Sequence, residues 1–278
     1  MNSIFSSRDV IHCRAAITVE KPMGIRSTYL VFGAAAVMLL VTAAGTSAQG
    51  EAGRLTAELE AGPVWQSRND VQIPNTEDGT RFSLVDAIGE GPWVSARLYL
   101  TWDINPKHGL MALLAPLSIT ETGVLDSPVD FEGATFEPDV PTEATYKFNS
   151  WRVTYRYRFL RNKRWDLRVG FTAKIRDAKI ELKQEGNSAR KTDLGFVPLL
   201  HFAAEYTFAR RWHVKLDFDA LAGGPGRAED ASLKIGCDLG EDWLLYGGYR
   251  TVEGGADVEE VYNFAWLHYV VISARYRF

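Results

Sequence analysis

Cysteine is nearly missing. Cys13 and Cys237 are the only two in 278 residues. That excludes a disulfide framework and any cysteine-based metal cluster. Histidine is equally sparse, with His12, His108, His201, His213 and His268 scattered along the chain. There is no basic excess: 31 Lys and Arg stand against 35 Asp and Glu, so a nucleic-acid binder is excluded. After residue 43 no apolar run is long enough for a membrane-spanning helix. No cofactor motif occurs. The cluster Gly223-Gly224-Pro225-Gly226 is a turn signal without the strand-to-helix setting of a phosphate loop.

The one apolar run, Tyr29 to Ala43, follows Arg26 and precedes the small residues Thr46-Ser47-Ala48. Its shortness and the cleavage-like site after it mark residues 1–48 as a secretory signal peptide rather than a membrane helix. Met23 alone begins a conventional signal peptide, so residues 1–22 read as an over-long gene start. The mature domain is then 49–278, with 27 basic and 33 acidic residues. Cys237 remains as its only cysteine and reads as a small packing residue.

What the mature chain has is alternation. Val94, Ala96, Leu98, Leu100 and Trp102 oppose Ser95, Arg97, Tyr99, Thr101 and Asp103. Trp151, Val153, Tyr155 and Tyr157 oppose Arg152, Thr154, Arg156 and Arg158. Trp212, Val214, Leu216 and Phe218 oppose His213, Lys215, Asp217 and Asp219. Period two over such spans rejects a helix. Ten strands are expected, at 55–67, 92–104, 109–122, 144–160, 164–183, 192–208, 211–221, 229–239, 242–252 and 260–278; eight or twelve are the alternatives. Pro198 predicts a bulge or strand end. Tight connections at 105–107, 161–163, 209–210 and 240–241 alternate with longer ones near 68–91, 123–143, 184–191, 222–228 and 253–259. Trp102, Trp165, Trp212 and Trp243 flank the tight turns, as an interfacial aromatic girdle would. The expected class is all-β, a transmembrane antiparallel up-and-down barrel, since lipid cannot satisfy open backbone groups.

The chain closes on Ala274-Arg275-Tyr276-Arg277-Phe278. A final strand ending in an aromatic residue resembles the C-terminal signature of Gram-negative outer-membrane β-barrels. The resemblance covers the mature chain by pattern, and its specific motif is this last strand. It implies a cell outer-membrane location and partners in outer-membrane lipid, lipopolysaccharide and the barrel assembly machinery, with Tyr276 and Phe278 as the assembly signal; no catalytic constellation is found, so a non-enzymatic barrel is expected. Omptin-type proteases resemble it in strand number, but their rim acid and histidine residues have no counterpart in this layout. Lipid A deacylases use an exposed His/Ser pair, and no His-x-Ser occurs.

The alternation puts charge inside. Arg97, Arg152, Arg156, Arg168, Lys174, Lys215 and Arg275 share the lumen with Glu205, Asp217 and Asp219. About ten strands lie near the filled end of the barrel range, so a lumen largely filled by salt bridges is expected, with a narrow pore, a small-solute porin or an enzyme acting on lipid A or peptides as alternatives. The outer loops are acidic: Asp70, Glu77, Asp78, Asp86 and Glu90 in the first, Asp126 to Glu143 in the second, and Glu253 to Glu260 in the last. Their oxygens offer divalent cations hard ligands, in no EF-hand spacing.

Overall fold

The backbone closes on itself. A computed structural model describes residues 53–278, so the leader and its cleavage site lie outside the described residues. Strand β1 (Arg54–Gln72) is followed by the short β2 (Phe82–Ser83), the one-turn helix α1 (Leu84–Ile88), β3 (Trp93–Asp103), β4 (His108–Ala115) and β5 (Ser118–Gly123). The hairpin β6 (Val129–Phe131) and β7 (Ala134–Phe136) precedes the long strands β8 (Thr142–Arg161), β9 (Trp165–Gln184) and β10 (Asn187–Ala209). Then come β11 (Trp212–Gly223), β12 (Gly226–Leu239), β13 (Trp243–Val258) and β14 (Val261–Arg277). Every neighbour is antiparallel, and β14 returns to β1 from Thr56↔Arg277 to Gln72↔Tyr262. With β4 and β5 counted as one interrupted staff, ten strands form a closed barrel.

The periplasm-type turns are tight for a local reason. The Asn105 carboxamide oxygen accepts from the backbone N–H of Lys107 and of His108, both at 2.9 Å. Asn162 repeats the device with Arg164 and Trp165. Such side-chain-to-backbone bonds shape a turn without needing more residues. Trp102, Trp165 and Trp212 stand exposed on the outer face beside these turns. Trp165 packs on Tyr206 and Trp243 on Tyr276, while Tyr276 meets Phe278 edge-on at 4.8 Å. The Phe278 N–H donates to the Leu55 carbonyl, which ties the last residue to the first strand.

Three expected loops are strand. Residues 184–191, 222–228 and 253–259 belong to β9–β14 and turn within two residues, as at Glu185-Gly186 and Glu259-Glu260. The acidic segment from Glu253 is therefore largely ladder, and Glu253 accepts a forked bond from Arg227. Polar residues there alternate on a strand that has risen above the lipid, so composition alone resembled a loop. The two remaining long connections fold over the barrel mouth. Val71, Ile73, Leu84, Ile88, Phe131 and Phe136 form an apolar cluster with Tyr146, Leu182, Leu267 and Tyr269 from the inner wall.

Two places in the wall lack ladder bonds. Pro116 splits β4 from β5, and β3 pairs with β4 only below Leu98. Helix α1 closes that gap. It lies so near β5 that a Cβ at Gly123 would stand 1.7 Å from the Ala87 carbonyl oxygen. Trp93 Nε1 also donates to Glu121 across it at 2.9 Å. The second gap lies between β10 and β11, whose pairing begins only at Leu200↔Ala220. Pro198 produces no bulge, for the β9–β10 register runs through Pro198↔Ala173 unbroken. It marks instead the point just past which β10 and β11 part, in keeping with a residue that cannot donate to a ladder.

Candidate functional site

The lumen has two stories. Near the tight turns Arg158 and Arg168 bracket Asp103 and Asp166 at 2.8–3.1 Å. His213 meets Asp238 at 2.7 Å, and its other ring nitrogen lies 3.8 Å from Glu205. Above them Glu58 gathers Lys234 at 2.5 Å, Arg275 at 3.1 Å and Lys215 at 3.4 Å, and Lys215 also reaches Asp217 at 2.9 Å. Glu60 takes Lys234 and Arg250 at 2.8 and 2.9 Å.

Asp230 is the hub. It is 3% exposed and accepts from Arg97 at 3.1 Å, Arg152 at 2.7 Å and Arg250. Arg152 also holds Asp219 at 3.0 Å, which accepts from Thr172 and pairs with His201 at 2.9 Å. Arg250 donates onward to the Tyr99 hydroxyl at 2.7 Å. Ions this deep are tolerated only when each is paired and hydrogen-bonded. Together these layers form a charged floor from β1 across to β11.

Of the lumen residues read from sequence, Arg97, Arg152, Arg168, Lys215, Arg275, Glu205, Asp217 and Asp219 sit in these pairs. Arg156 and Lys174 are inside too, yet among the described residues neither has a carboxylate within 4.0 Å. They are in the lumen but not in its ion-pair network. Asp230 and Arg250 were not singled out, although both keep the inward parity of Lys234 and Tyr246. Arg250 was hidden because the rest of that face, Leu244 and Tyr246, is uncharged.

The charge stops part-way up. Above the floor and beside the loop plug lies a cavity of about 720 Å³. Tyr146, Phe148, Ile180, Val252, Ala265 and Leu267 make its walls, and Val197 with Leu221 stands at the β10–β11 gap. Cations at its rim are answered: Arg176 by Asp193, Lys191 by Glu132 at 2.8 Å, and Arg227 by Glu253 at 2.7 Å. Lys174 is not. It is 3% exposed, lines the cavity, and has the Phe148 ring 4.7 Å from its ammonium. The lumen is thus not filled by salt bridges throughout: its outer part is apolar, because two connections turn inward and bring aliphatic side chains with them.

A second cluster faces outward. The β1–β14 register slips between Gln66 and Arg68, and Ser67 keeps the outward parity of Trp65, so its hydroxyl faces the lipid side. Ser67 Oγ lies 2.7 Å from His268 Nε2, while the Tyr249 hydroxyl bonds His268 Nδ1. Trp65 and Trp266 flank the imidazole at 5.8 and 5.3 Å between ring centres. Spacing along the chain could not disclose it, because Ser67 and His268 are 201 residues apart and meet only through the pairing of β1 with β14. Among the described residues no group of three or more His, Cys, Asp or Glu converges as a metal site.

No family model matches the chain, and no curated relative does. Solved structures do. The outer membrane protease OmpT from Escherichia coli superposes with a TM-score of 0.50 at 9% identity, over 81% of this chain and 97% of that one. The protein has the closed ten-stranded barrel fold of bacterial outer-membrane proteins. The translocator domain of the autotransporter NalP from Neisseria meningitidis gives 0.41 at 12% identity, covering 91% of this chain and 98% of that one. Ail, the attachment invasion locus protein of Yersinia pestis, gives 0.38 at 12%, over 82% and 99%. Identities this low speak to the fold alone.

Asp230→Ala tests the hub. It takes from three guanidinium groups the carboxylate they share, and removing one partner of a buried pair costs about 3–5 kcal/mol. The refolded variant should lose its heat-modifiable band at a clearly lower temperature than wild type in gel electrophoresis. An unchanged transition would remove Asp230 from the centre of the floor.

Proposed function

We propose that this barrel is a non-conducting, non-enzymatic binding protein of the outer membrane surface, with the outer cavity as its ligand site. The observation that carries the reading is the pairing of a charged floor with an apolar chamber above it. A floor in which nearly every ion is partnered favours a closed lumen over a water path. The chamber falls within the roughly 300–1,000 Å³ usual for small-molecule sites, and its apolar walls with few polar groups suit an amphipathic molecule. Outer-membrane lipid and lipopolysaccharide are the surrounding partners in this reading, and the Tyr276–Phe278 end is the segment offered to the assembly machinery.

The experiment is binding of palmitate to the refolded protein in nanodiscs, read by native mass spectrometry. One molecule should bind saturably to wild type. Ala265→Trp, which fills the chamber from a small buried position, should abolish it. Equal binding by both would overturn the reading.

One observation favours a second reading, a lipid-ester hydrolase on the outer wall. Ser67, His268 and Tyr249 stand in the order of nucleophile, base and orienting group, facing lipid. This reading expects release of fatty acid from lipopolysaccharide-containing vesicles by wild type and none by Ser67→Ala. Equal rates from the two proteins would dismiss it.

A further inference from the structure

The chamber has a side as well as a top. Below Leu200↔Ala220 the strands β10 and β11 are joined by a regular ladder. Above it, β10 runs on to Asn187 bonded only to β9, and β11 runs on to Gly223 bonded only to β12. The comparable gap beside Pro116 is closed by α1, Trp93 and Glu121, whereas among the described residues no backbone pairing joins β10 to β11 above Leu200↔Ala220. Residues from both lips line the cavity: Val197 and Pro198 from β10, Leu221 and Gly223 from β11. Leu221 has the inward parity of Asp219 yet is 40% exposed, as a side chain at an opening would be.

The height of the gap matters. On β9 the outward face turns polar at Asp177, which bonds Lys147 and Asn149. On β12 it turns polar at Glu229. On β10 it stays apolar up to Leu194, the partner of Asp177, with Phe196 and Leu194 65% and 74% exposed. The opening therefore starts level with the polar switch at Glu229 on the β12 side and carries an apolar lip, Leu200 to Leu194, on the β10 side.

We propose that the chamber opens sideways between β10 and β11 into the outer leaflet and admits a long-chain amphiphile with a small anionic head, which Lys174 receives. This deepens the binding reading above and rests on it. Charge complementarity selects the head. Lys174 is the cation of the chamber with no carboxylate partner, and a buried ammonium without a counter-ion is costly. A carboxylate would supply that counter-ion and make a charge-assisted bond. The apolar walls and lip suit the chain, which never has to cross water on its way from the leaflet.

The test uses deuterated palmitate preloaded in vesicles that hold the full mature barrel, with bound label followed in time by native mass spectrometry. Leu199 and Leu221 would be the next antiparallel partners above the ladder. The double variant Leu199→Cys/Leu221→Cys, in a Cys237→Ser background, can therefore lock the gap by oxidation. A dodecyl-maleimide adduct on Leu221→Cys alone gives the same block where the disulfide does not form. Blocking should slow loading by about tenfold or more, and reduction of the disulfide should restore it. Loading at an unchanged rate in the blocked protein overturns the side route while leaving the binding reading intact. No loading of the open protein overturns the binding reading itself. For the head group, wild type should prefer palmitate to hexadecanol by about tenfold or more, the value of one charge-assisted bond. Lys174→Met should erase that preference while still taking up hexadecanol. A preference that survives the substitution removes Lys174 from the site.

Discussion

Three guanidinium groups meet on one carboxylate, and the rest of the interior is arranged around that meeting. Arg97, Arg152 and Arg250 come from β3, β8 and β13, so Asp230 on β12 ties its ladder neighbour β13 to β3 and β8, with which neither shares a ladder. Each arginine has further acceptors: Glu60, Asp219, Tyr99. Removing a charge from water is expensive, and a barrel whose outer face is given to lipid has nowhere else to put its charges. Mutual satisfaction across the lumen is the solution, and it crowds the lower barrel with paired side chains.

That solution constrains what lies above. A charged floor needs many long side chains, and these come from strands whose inward positions alternate Arg, Lys, Asp and Glu. Once the strands rise past Tyr146 and Tyr269 the inward positions become Ile180, Leu182, Val252, Ala265 and Leu267. Apolar side chains cannot fill a ten-stranded mouth alone, so two connections fold inward and supply Ile73, Leu84, Phe131 and Phe136. They fill one side of the mouth. The other side is left as the chamber, bounded below by Lys174 and laterally by the place where Pro198 and the end of the β10–β11 ladder coincide. In lipid an unpaired strand edge is costly, so a ladder that ends at the upper border of the apolar belt needs a reason. Access to the chamber supplies one.

Much of this was written in the sequence. Period two located all ten staves, and the terminal Phe278 pointed to the outer-membrane barrel fold, whereas three of the five connections expected to be long are two-residue turns. The parity of Arg97, Arg152, Lys215 and Asp219 put them inside. What stayed hidden depends on pairing between distant strands. Asp230 has the parity of Lys234, but its role as hub needs β3, β8 and β13 around it. The strands overran their expected ends because extracellular ladder above the lipid no longer alternates with apolar residues. Pro198 was legible as an interruption, yet which ladder it interrupts is a matter of register. The Ser67–His268 contact needed the pairing of the first strand with the last, and the chamber needed inward-folding connections, which leave no periodic trace.

The central claim is that the Asp230-centred floor closes the lumen. Single-channel recording of the refolded mature barrel in a planar bilayer addresses it most directly, once heat-modifiable migration has established that the barrel is folded. The account predicts a silent bilayer at every voltage applied. Steady unitary openings of reproducible size would contradict it, because ions would then be passing through a layer that this arrangement of charges leaves no room to cross.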